Sequence, residues 1–268
     1  MAAEHGVVSR ADFSSNGVDD ALHAGVNGVR VVASEPLACI DIADLDALDL
    51  PEVQFLVDYL LPEVGLVLFS GDSGSCKTAL MMHLGVAIAL GERVGGRFKT
   101  ARGAGPVIYL NGELDPALLR ATARQAAAGF GKTVAELPRG RFKFEGEDGR
   151  STLHFRSDFT DTAERARFAA MIGNVRPSLV VIDTQRALFD LDEKEATQVG
   201  PAFTWLGEIS TAYRCCIVVL HHLRKMGAMN NGERERVSGS RALITGVDVH
   251  LQAKASGGQP MRALYVAQ

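Results

Sequence analysis

The sequence predicts an α/β fold in three layers, αβα, around a mostly parallel central sheet. Three observations carry that reading. Short apolar, β-branched runs alternate with helix-length segments from about residue 65 onward. A glycine-rich loop, residues 71–78, joins the first of those runs to an apolar helical segment. A later run, Leu179-Val180-Val181-Ile182, ends in a single carboxylate, Asp183. Parallel strands need a crossover segment between them, and the crossover helices cover both sheet faces, so the strands read as continuous apolar runs rather than as alternating ones.

Taken in order, residues 1–32 are rich in Gly, Ala, Ser, Asn and Asp with no sustained period of 2 or 3.6. We expect a loose arm there, and divide the chain into a flexible acidic arm, 1–50, and one folded domain, 51–268. The stretch 40–61 carries Ile40, Ile42, Leu45, Leu48, Leu56 and Leu60 among carboxylates, and is expected to form short helical or extended pieces packed on a core. Strands are expected at 65–70, 106–111, 141–144, 179–183, 215–221, 247–253 and 261–266, and helices at 77–90, 116–130, 161–174 and 199–214.

Composition narrows the function classes. With 47% hydrophobic and 22% charged residues among 268, the chain can bury a sizeable core, and disordered, collagen-like and mucin-like classes are excluded. No apolar stretch approaches the roughly 18 residues of a membrane span, and the amino terminus lacks the basic and apolar regions of a signal peptide, so a cytoplasmic protein is expected. The four cysteines, Cys39, Cys76, Cys215 and Cys216, form no C-x-x-C pair. Residues 1–60 hold eleven acids and two bases, net −9, which leaves +5 for the remainder of a chain whose formal charge is −4. A polyanionic partner is allowed by that surplus and not demanded by it.

The strongest chemical signal is Gly71-Asp72-Ser73-Gly74-Ser75-Cys76-Lys77-Thr78, followed by Ala79. Between a strand and a helix such a loop turns backbone N–H groups and the positive helix end toward phosphate oxygens; Lys77 supplies neutralising charge, and the Thr78 hydroxyl is a ligand for Mg²⁺. A glycine-rich turn before a core helix is the bland alternative, and the strand–loop–helix context argues against it. The residue before the lysine is Cys76 rather than the usual glycine, which would strain the loop if φ is positive there, by roughly 1–2 kcal/mol.

Asp183, at the carboxyl end of its strand, is placed to anchor Mg²⁺ beside Thr78. The next residue is Thr184, not an acid, so a group that activates water has to come from elsewhere. Glu113, after Val107-Ile108-Tyr109-Leu110-Asn111-Gly112, is the candidate; its structural alternative is a cap for the helix that starts at Pro116. A third run, Cys216 to Leu220, ends in His221-His222. Neighbours on a strand point to opposite faces, so these two do not converge on one metal ion, and one of them is instead a candidate phosphate sensor or a hydrogen-bonded structural histidine. Beyond lies a long basic loop, residues 223–237, with Arg224, Lys225, Arg234 and Arg236, suited to gripping nucleic-acid phosphates or simply solvated.

In their order and spacing these pieces, from about Phe55 to Ala253, resemble the RecA-like P-loop NTPases, and within them the RepA-type hexameric replicative helicases. The resemblance rests on the loop 71–78, on Val107-Ile108-Tyr109-Leu110 with Glu113, on Val181-Ile182-Asp183-Thr184, on Leu220-His221-His222 and on Ser238-Gly239-Ser240. It implies ATP hydrolysis with Mg²⁺ at the subunit interfaces of a homo-oligomeric, hexameric ring, with Glu113 activating water and His222 sensing phosphate. Translocation on single-stranded DNA during plasmid, phage or mobile-element replication is also implied. Where that family suggests an arginine finger, this chain reads Gly246-Val247-Asp248-Val249, which leaves Arg236 or Arg241 as the candidates. An ATP-switched accessory binding protein with slow hydrolysis is the alternative from another class, and a small-molecule kinase is a third.

Overall fold

Strand β3 (Gly65–Gly71) is buried along its whole length. Its odd-numbered side chains, Val67 and Phe69, enter one apolar cluster, while Leu66 and Leu68 enter another on the opposite sheet face. A strand buried at every position requires both faces to be covered, and the rest of the architecture follows from that requirement. The structure is a computed structural model that describes residues 39–48, 54–156, 161–191, 196–223, 242–254 and 263–267.

The chain divides into two compact units, Met1–Pro51 and Glu52–Gln268. In the first, Ile42–Ala47 forms a 3-10 turn capped by Asp41, whose carboxylate accepts a hydrogen bond from the Ala43 N–H at 2.8 Å. Ile40, Ile42, Leu45 and Leu48 are exposed. For residues 40–48 that corrects the expectation of packing on a core, which Leu56 and Leu60 of the same stretch do meet: a six-residue turn interleaved with Asp41 and Asp44 presents no continuous apolar stripe.

The second unit begins with a small antiparallel pair, β1 (Phe55–Val57) and β2 (Leu61–Pro62), that buries Leu56, Val57 and Leu61. After β3 come α1 (Lys77–Leu90), β4 (Val107–Asn111), α2 (Pro116–Ala128), β5 (Phe142–Phe144), α3 (Thr162–Val175), β6 (Leu179–Asp183), α4 (Gln185–Leu188), α5 (Ala196–Tyr213), β7 (Cys216–His222), α6 (Ala242–Thr245), β8 (Val249–Lys254) and β9 (Ala263–Ala267). The central sheet has the order β5-β4-β6-β7-β3-β8-β9. Every neighbouring pair is parallel except β8 with β9. The predicted αβα class is therefore the observed one.

Helices α1 and α2 pack on one face in the cluster with Val67, Tyr109 and Val181. Helices α3 and α5 cover the other, with Leu68, Val180 and Val219. Helix α1 is apolar on nearly all sides and is correspondingly buried from Met81 to Ala89 apart from the half-exposed His83. Gly91 closes it at φ 72°, where an L-residue would be strained. The amino end of α2 is capped by Asp115, whose Oδ1 accepts from the N–H groups of Ala117 and Leu118, with Pro116 in the first turn. This assigns the cap to Asp115 and leaves Glu113 available for other work. Cys215 and Cys216 are both fully buried, and burial pushes the Cys215 thiol up to about 12; neither is a reactive thiol at neutral pH. Among the described residues no helix is long and apolar enough to cross a membrane.

Candidate nucleotide-binding site

Four parallel strands, β3, β4, β6 and β7, deliver their carboxyl ends to one sheet edge, and each brings a chemical group to it. From β3 comes the loop 72–76. It turns tightly, with Ser75 N–H donating to the Asp72 carbonyl at 3.1 Å, and Gly74 and Cys76 both take positive φ, 77° and 61°. Cys76 thus occupies the left-handed conformation that glycine would adopt freely. Cys76→Gly is expected to leave nucleotide affinity within about threefold and to raise the melting temperature slightly, by at most about 1 kcal/mol of stability, since relief of the strain exceeds the added chain entropy. Thermal denaturation beside titration of a fluorescent nucleotide checks this.

Lys77 opens α1 and is buried. Its Nζ donates to the carbonyls of Gly71 (2.9 Å) and Asp72 (3.0 Å), to Ser75 Oγ (3.3 Å) and to His222 Nδ1 (3.3 Å). Burial lowers its pKa, and the carboxylates of Asp183, Glu113 and Asp72 act in the opposite direction. An ammonium has three protons and no acceptor. Four partners therefore share three donors, and Nδ1 of His222 must be the accepting nitrogen. The histidine proton then resides on Nε2, which donates to Glu113 Oε2 at 3.2 Å. Lys77, His222 and Glu113 form one hydrogen-bonded chain from the loop to the mouth of the site. His221, by contrast, is buried and pairs with Gln185 Oε1 at 3.2 Å; the two histidines do face opposite ways.

Glu113 is held by its neighbours. The Asn111 side chain donates to the Leu114 and Gly149 carbonyls (2.9 and 3.3 Å) and accepts from Leu114 N–H (2.9 Å). Gly112 N–H donates to the Asp183 carbonyl at 2.6 Å. A Cβ on Gly112 would lie 2.5 Å from that of Ala187, so only glycine allows this turn to approach α4.

Asp183 is fully buried. Its Oδ2 accepts from the Tyr109 hydroxyl at 2.6 Å, while its Oδ1 has no hydrogen-bond partner. Burial raises its pKa, opposed by hydrogen bonds from Tyr109 and Thr78. The Thr78 hydroxyl thus lies against a carboxyl with one oxygen uncommitted. A buried acceptor without a partner is rare in proteins, and a hydroxyl beside a carboxyl that keeps one oxygen uncommitted is the hard-oxygen donor set that Mg²⁺ takes; the residues fit the ion.

Residues Ser73 to Ala79, Glu113 and His222 line a cleft of about 260 Å³, together with Leu114, Leu118 and Thr122. A larger groove of about 1220 Å³, between α2 and the turn after β5, is lined by Arg120, Arg124, Lys132 and Asp148 and lies away from these converging groups. Asp248 accepts from Leu66 N–H at 2.8 Å, which puts it at the amino end of β3, the opposite edge of the sheet. Arg224, Lys225, Arg234, Arg236 and Arg241 lie outside the described residues. Tyr109 and Asn111 were assigned no role from sequence; Asn111, a turn-forming residue at a strand end, carried a weak signal.

A phosphate-binding loop between β3 and α1, with a buried aspartate closing β6, which β7 separates from β3 in a mostly parallel three-layer sheet, defines a P-loop ATPase. A family model described as AAA domain matches residues 33–228, and the chain belongs to that family. The matched span includes Lys77, Glu113, Asp183 and His222. No curated protein matches the chain.

Proposed function

We propose that the chain is a Mg²⁺-dependent ATP hydrolase of the RepA-like kind, a cytoplasmic ring-forming translocase on single-stranded DNA. The observation that carries the hydrolase reading is the Lys77–His222–Glu113 chain beside the uncommitted Oδ1 of Asp183. Thr78 and Asp183 would hold Mg²⁺, which supplies charge neutralisation at the β and γ oxygens when bound. Lys77 and the loop N–H groups bind the phosphates. Glu113 accepts the proton of the attacking water and orients it.

The hydrogen-bond count at Lys77 suggests how phosphate is sensed. Because its three protons already serve four acceptors, a γ-phosphate oxygen competes for the ammonium with His222 Nδ1, the one partner contributed by another strand. Loss of that contact frees the imidazole and, with it, Glu113.

The DNA-motor part of the reading is supported by the motif order and by the basic composition of residues 223–237. Single-stranded DNA is expected to stimulate phosphate release at least tenfold, and neutralising Arg224, Lys225, Arg234 and Arg236 together is expected to weaken DNA binding and flatten its salt dependence. Turnover indifferent to DNA, with unchanged affinity in the neutralised variant, would favour the ATP-switched binding protein instead.

A further inference from the structure

We propose that Tyr109 is a positioning residue for the metal half of this site: its hydroxyl, donating to Asp183 Oδ2 at 2.6 Å, holds the carboxyl so that Oδ1 stays uncommitted. The inference rests on the reading of the site as one for Mg²⁺ and nucleotide. The geometry comes from the sheet. Parallel pairing sets Tyr109 opposite Val181 and Asn111 opposite Asp183, so Tyr109 and Asp183 are diagonal neighbours on one face, the face that α1 covers.

The ring cannot swing away. It is fully buried and packed against Phe142 and Phe144 of β5, at centroid separations of 6.2 and 5.7 Å. A carboxyl in the interior with no anchored oxygen is free to rotate about χ2 and to turn either oxygen toward whatever donor is nearest. Tyr109 removes that freedom by occupying one oxygen with a short O–H···O bond, and the two oxygens differ: Oδ2 is tethered and Oδ1 is left without a partner. Groups that orient a metal-binding carboxylate in this way govern metal affinity without touching the metal, by 10- to 100-fold in measured cases. Tyrosine is needed here for its hydroxyl alone, since phenylalanine would fill the same space between β5 and α1.

Tyr109→Phe is therefore expected to raise the Mg²⁺ concentration at half-maximal nucleotide binding by 10- to 100-fold, read by fluorescence of a labelled ATP analogue on the full chain. Nucleotide binding in EDTA is expected to stay unchanged, and turnover at saturating Mg²⁺ to return close to the wild-type value. A Mg²⁺ midpoint within twofold of wild type, in a folded variant, overturns the proposal while leaving the Mg²⁺–ATP reading intact. No Mg²⁺ dependence in the wild-type protein overturns both. Should Tyr109→Phe not fold, a Tyr265→Phe chain labelled with 3-fluorotyrosine carries the test. Mg²⁺ added to its nucleotide complex must shift the resonance of the tyrosine shielded from a soluble paramagnet, and a resonance that does not move contradicts the proposal.

Discussion

Lys77→Ala is expected to lower ATP turnover by at least 10²- to 10³-fold, about 3–4 kcal/mol of transition-state stabilisation, the range seen when one preorganised donor is removed from a developing oxyanion. The effect is electrostatic. Lys77 is buried, so its charge acts in a medium less polar than water, and among the described residues it is the cation that the loop carbonyls and His222 converge on. Alanine supplies neither charge nor reach. The fold is expected to survive, because burial already disfavours the ammonium and its loss offsets the orphaning of the Gly71 and Asp72 carbonyls. Steady-state phosphate release and a melting curve on the same sample separate a lost function from a lost fold. The substitution also removes one anchor of His222, so a fluorescent ATP analogue should bind the variant weakly.

Glu113→Gln is expected to retain ATP binding within about threefold and to lose turnover by 10²- to 10⁴-fold, the contribution typical of a positioned general base. Glutamine has the same shape and keeps an oxygen that accepts from His222 Nε2, so the chain through Lys77 persists. What it cannot do is take up a proton. The variant should therefore accumulate in the ATP-bound state, visible as retained labelled ATP after rapid removal of free nucleotide. Normal cycling would place the base elsewhere.

Helix α1 has the same bounds, Lys77–Leu90, in expectation and in structure, as does β6, Leu179–Asp183. Both are set by local signals: an apolar run, a glycine at the helix end and a carboxylate at the strand end. The loop's conformation at Cys76 was legible as a conditional, since the residue type signals strain only when φ is known. The β1–β2 pair is legible only as short helical or extended pieces, because strands of three and two residues carry no period to detect. The exposure of Ile42 and Leu45 does not follow from apolar content, because no single face of that short turn collects those residues.

The relations that matter most in the site are of a kind sequence does not carry. Tyr109 sits in an apolar strand and reads as core, and its bond to Asp183 depends on the register of β4 against β6. His222 was a plausible sensor from its place at a strand end, but that its two ring nitrogens bridge Lys77 and Glu113 follows from three separate strands ending at one level. The linear order of motifs gave the class of chemistry; side-chain placement gave the division of labour.

The most direct test of the account is phosphate release from ATP by the wild-type chain in Mg²⁺ and in EDTA, with ADP measured in parallel and Lys77→Ala as the blank. The account predicts Mg²⁺-dependent turnover in which ADP and phosphate appear in equal amounts and the blank stays silent. ADP without free phosphate would show transfer to another acceptor, and equal turnover in wild type and Lys77→Ala would contradict the assignment of this site.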